Sequence, residues 1–119
     1  MSLCVIAGGK TAVLAASLFT LSWTHSVEKV EWRETWRVLP AGLQLVEARV
    51  KGSGAGMEPP PDARLEAGWW VYAPRVAALP VLRLAASGAT GAGWRLCADG
   101  DCRQIGAEPG APVLLRPCP

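Results

Sequence analysis

The sequence is poor in the residues that most often do chemistry at a site. It holds one His, one Tyr, one Phe and two Met. A lone His leaves a metal centre or a nucleophile–base pair few partners. The chain has no G-x-S-x-G elbow, no G-K-[ST] phosphate-loop ending and no dinucleotide fingerprint, so no cofactor and no resident metal are expected. Its 12 basic and 10 acidic residues leave a net charge of +2, and the basic ones are scattered along the chain. Without a run of Lys and Arg there is no signal for phosphate neutralisation, and nucleic acid is not an expected partner. The longest apolar run, residues 12–21, is about half the length of a spanning helix, so no membrane span is expected.

What the chain does have is Gly, Pro and Trp: 13, 10 and 6 residues. Gly and Pro at this density leave little room for long helices and punctuate short runs of alternating polarity. Candidate strands fall at residues 3–7, 18–24, 30–38 and 43–51. Others fall near 69–73, 81–85, 94–97, 102–105 and 112–116. In residues 30–38 the period of two puts Val30, Trp32, Glu34, Trp36 and Val38 on one face and Glu31, Arg33, Thr35 and Arg37 on the other. Strands at this spacing predict an all-β fold, a small antiparallel β-sandwich or barrel with short Gly/Pro-rich turns. The chain reads as one domain over residues 1–119. Residues 1–17 read as a first strand and a connection, with a signal remnant as the alternative. A natural precursor with its signal before Met1 is the preferred account.

Four Cys, at positions 4, 97, 102 and 118, fit disulfides in an oxidising compartment. Cys97 and Cys102 flank an Ala-Asp-Gly-Asp loop, which suits a bridge across a hairpin end; Cys4 and Cys118 would then tie the chain ends together. The alternatives are a zinc site from Cys97, Cys102, Cys118 and His25, or free thiols in a reducing compartment.

Candidate binding residues gather in three loops and one strand. Residues 23–29 bring together His25, Ser26, Glu28 and Lys29. Neighbouring residues on a strand point to opposite faces, so His25 is poorly placed to activate Ser26, and a turn that packs and caps itself competes with a polar site. Residues 51–60 carry Gly52, Ser53, Gly54 and Gly56 before Glu58 and three Pro. Successive amides there can form an anion nest, and a bulged corner is the simpler alternative. Residues 86–94 add Ser87 and Thr90. Glu34 shares a face with Trp32 and Trp36, so it must be paired, hydrogen-bonded or at a rim. With Arg33 and Arg37 on the opposite face, a partner is expected from another strand.

The blocks F-T-L-S-W-T-H-S-V-E-K, W-R-E-T-W-R-V, V-K-G-S-G-A-G-M-E-P-P, G-W-W, L-A-A-S-G, W-R-L-C-A-D-G-D-C and L-R-P-C resemble bacterial domain-of-unknown-function family 1850, from about Cys4 to Cys118. The resemblance implies a small periplasmic or otherwise extracytoplasmic protein encoded beside a TAXI-type TRAP transporter of organic acids. The implied partners are transporter subunits, the substrate-binding protein or a small organic acid. No catalytic residue carries over. The expected function is an accessory or binding module acting through the 25–28 turn and the 52–58 loop. The alternative is a hydrolase using His25 with Glu28 or Glu34.

Overall fold

The computed structural model describes residues 1–24, 30–51, 61–88 and 93–119. These form eleven strands: β1 (Ser2–Ala7), β2 (Lys10–Ala15), β3 (Leu18–Thr24), β4 (Glu31–Leu39), β5 (Gly42–Lys51), β6 (Arg64–Glu66), β7 (Trp69–Tyr72), β8 (Leu82–Ala86), β9 (Trp94–Ala98), β10 (Asp101–Ile105) and β11 (Gly110–Cys118). Among the described residues no helix is long and apolar enough to cross a membrane.

The strands make two antiparallel sheets, in the orders β2-β1-β11-β8 and β10-β9-β3-β4-β5-β7-β6. They pack face to face as a sandwich, which decides between the two architectures that the strand spacing allowed. The alternation seen in sequence explains why. On β3, Phe19 and Leu21 are buried while Leu18 and Thr24 are exposed. Their partners across the register are Trp36 and Glu34 on β4, which therefore share the inner face. Leu3 and Val5 of β1, Leu84 of β8, Leu96 of β9 and Val113 and Leu115 of β11 complete a core with Phe19, Leu21, Trp36, Val38 and Leu43. Phe19 and Trp36 stack with ring centroids 6.4 Å apart. The chain crosses between sheets after β7, where Leu79 and Leu43 exchange backbone hydrogen bonds of 2.7 and 2.8 Å.

Two strands were not expected. Residues 10–15, where the sequence suggested only a connection, form β2. Leu14 is buried and Val13 is exposed; the small Ala residues around them blur the period of two. β6 has only three residues, all exposed, too short to leave a pattern. The hairpin turns 8–9, 67–68 and 99–100 each have positive φ at both residues, the geometry that joins two strands without splaying them.

Both disulfides expected on grounds of placement are present. Cys97 and Cys102 sit directly opposite each other on β9 and β10. Cys4 and Cys118 join the first and last strands across 114 residues of chain. All four sulfurs are thereby used, so the zinc and free-thiol alternatives fall.

Candidate functional site

The register of the larger sheet aligns residues that lie far apart in sequence. On its outer face one row runs Gln104, Arg95, Ser22, Arg33, Arg49, Val71 and Arg64, one residue per strand from β10 to β6. Four arginines therefore share a single row, although no basic cluster is visible along the chain. Arginines directly opposite each other repel unless the charge is balanced.

The balance comes from carboxylates two residues away on the same strand, which a strand places on the same face. Arg33 Nη2 donates to Glu31 Oε2 at 3.1 Å. Arg49 Nε donates to Glu47 Oε1 at 2.7 Å, and Arg64 Nε to Glu66 Oε2 at 2.8 Å. At the edge strand, Arg103 Nη2 reaches Asp101 Oδ2 at 3.1 Å. Such exposed pairs contribute about 0–1 kcal/mol each, so they neutralise the face more than they hold it together. Arg33 and Lys51 also lie over the Trp69 ring, at 4.9 and 5.3 Å from its centroid.

Arg95 is the exception. Its neighbours at two residues are Gly93 and Cys97, the second in a disulfide. Among the described residues it makes no ion pair. It opens onto a groove of about 420 Å³ lined also by Ser22, Trp23, Thr24, Glu31 and Gln104. Gly93 admits the chain at the groove's edge: a Cβ there would lie 2.5 Å from the Ile105 carbonyl oxygen. The site thus offers a guanidinium that makes no ion pair among the described residues, two hydroxyls and, at its rim, the Glu31 carboxylate.

Thr24 pairs with Glu31, and Val50 with Trp32. The described ends that flank residues 25–29 and the β5 end that precedes residues 52–60 therefore lie at this end of the sheet. Gly88 and Gly93, which flank residues 89–92, meet here too, around a small cavity of about 110 Å³ with Ser87, Trp23 and Trp94. Of the residues singled out in sequence, His25, Ser26, Glu28, Gly52, Ser53, Gly54, Gly56 and Glu58 lie outside the described residues. Thr90 and Lys29 do as well.

Trp32 and Glu34 belong to the inner face, not the groove. Trp32 stacks on Trp23 at 6.0 Å. The expectation that Glu34 takes a partner from another strand is corrected: Trp36 Nε1, two residues along β4, donates to Glu34 Oε1 at 3.1 Å. Trp36 itself is 4% exposed and belongs to the core. Burial raises the Glu34 carboxyl above its usual range, and the indole hydrogen bond partly opposes this. Burial and then the Glu34 charge raise Tyr72 likewise.

The groove residues Ser22, Thr24, Glu31, Arg95 and Gln104 were not singled out in sequence. The acid-x-Arg or Arg-x-acid spacing recurs at 31/33, 47/49, 64/66 and 101/103; it is absent at Arg95, but also at Arg37, Arg75, Arg83 and Arg116, so sequence alone does not single out Arg95.

A family profile matches residues 19–105: the domain of unknown function DUF1850. No curated protein and no solved structure matches the chain.

Proposed function

The chain belongs to the DUF1850 family, and from that premise we propose that it is an extracytoplasmic binding module of a TRAP-type organic-acid uptake system. It presents the groove end of the sandwich to a transporter subunit or to the transported acid. The observation that carries this reading is the polar groove at the end of a disulfide-held sandwich, where the flanks of residues 25–29, 52–60 and 89–92 also meet. The two bridges support the compartment, because small domains keep disulfides in oxidising surroundings. A rigid sheet carrying polar side chains around an open groove suits recognition, since its side chains are held in place before anything binds.

The test is capture. Tagged chain is expressed in its own host and recovered from the periplasmic fraction with both bridges formed. It is then used to capture the binding protein and membrane subunits of the TAXI-type transporter from solubilised envelopes. Co-elution of at least one subunit is expected. Recovery of the chain from the cytosol with reduced thiols, and no subunit captured, would contradict the proposal.

A further inference from the structure

We propose that the groove around Arg95 binds a small organic carboxylate with a hydroxyl next to the acid group. This deepens the preceding reading, on which it rests for the role of this end of the sandwich, by naming a ligand class.

The outer face carries a repeated charge pattern. Arg33, Arg49 and Arg64 each have a carboxylate two residues away on their own strand. Arg103, on the groove's far rim, is satisfied by Asp101 in the same way. Arg95 stands in the same row and has Gly93 and Cys97 in those places. The carboxylate that completes the pattern at Arg95 can come from a ligand. A guanidinium matches a carboxylate with two parallel hydrogen bonds, which fixes orientation as well as contributing affinity.

The rest of the lining selects the remainder of the molecule. Ser22 lies opposite Arg95 on the neighbouring strand, and Thr24 lies two residues beyond it on the same face. Their hydroxyls line the same groove as Arg95 and can donate to or accept from a hydroxyl on the carbon beside a bound carboxylate. Glu31 also lines the groove. It accepts from a ligand hydroxyl but repels a second carboxylate placed at that end. A volume of about 420 Å³ falls at the small end of the range for small-molecule sites.

The experiment is a titration of the full oxidised chain, followed by 1H–15N NMR. Lactate is the probe, propionate the comparator without the hydroxyl, and inorganic phosphate the generic anion. Lactate is expected to give saturable shifts at Ser22, Thr24 and Gln104 and at the Arg95 side-chain Nε–H, and to bind more tightly than propionate. Arg95→Gln should weaken lactate at least about tenfold, the loss of one charge-assisted contact, with the rest of the spectrum unchanged. Arg64→Gln, at the far end of the row, should leave affinity unaltered. Thr24→Val should weaken lactate and spare propionate. The proposal is overturned if lactate shifts no groove residue. It is equally overturned if Arg95→Gln and Arg64→Gln weaken binding alike, or if phosphate binds the groove as tightly as lactate. Because no transporter is present, failure here leaves the capture experiment free to succeed or fail separately.

Discussion

Glu34 places a carboxyl on the inner face of β4, between Trp32 and Trp36 and two strands away from Tyr72. Half burial favours its neutral form, so the folded state binds its proton more tightly than the unfolded chain does. A raised folded pKa makes the protonated group an ally of the fold. That contribution is complete below the usual value of about 4.5 and is lost as pH rises through the folded pKa. Glu34→Gln stays neutral at every pH and keeps an acceptor for Trp36 Nε1. Its melting temperature should match the wild type near pH 4 and exceed it by a few degrees at pH 7. An offset of the same size at both pH values would contradict this account. That Glu34 sits among tryptophans was legible in sequence, because a period of two fixes which residues share a strand face. Its partner was not foreseen: it was expected from another strand, whereas the indole N–H of Trp36, two residues along on the same face, already supplies it.

At the scale of strands and turns, the acid-x-Arg pairs show how local spacing and register divide the work. The pairing within each strand follows from sequence alone, since residues two apart share a face. The row of arginines across strands does not, because register is set by the turns and by which face is buried. Arg95 gains its meaning only once Ser22 is known to stand beside it and Arg33 and Arg49 further along the same row. Long alternating elements such as β3 and β4 were readable to within a residue or so, whereas β2, diluted by Ala, and β6, three residues long, were not. Turns are a second element-scale feature. The 67–68 hairpin turn places Ala67 at a φ of 51° and Gly68 at 86°. The Cβ of Ala67 is strained in that left-handed region, where Asn is tolerated far better. Ala67→Asn should therefore stabilise the protein by about 0.5–1 kcal/mol in urea unfolding. A loss of stability would mean that the turn is held in its conformation by contacts of Ala67 itself.

At the scale of the whole molecule, the two sheets, the bridge between first and last strands and the grouping of loop flanks at one end form one arrangement. The Cys4–Cys118 bridge closes nearly the entire chain, the case in which a cross-link restricts the unfolded state most. The second bridge, Cys97–Cys102, pins the edge hairpin that carries one wall of the groove. The sandwich thus holds the groove residues Ser22, Thr24, Glu31, Arg95 and Gln104 on paired strands. The most direct test of a hydroxy-acid site in an uptake system is uptake of a labelled hydroxy acid by host cells that lack this chain. Uptake through the TRAP-type system should fall on deletion, return with the wild-type chain and fail to return with Arg95→Gln expressed at the same level. Uptake that is unchanged by the deletion would contradict it.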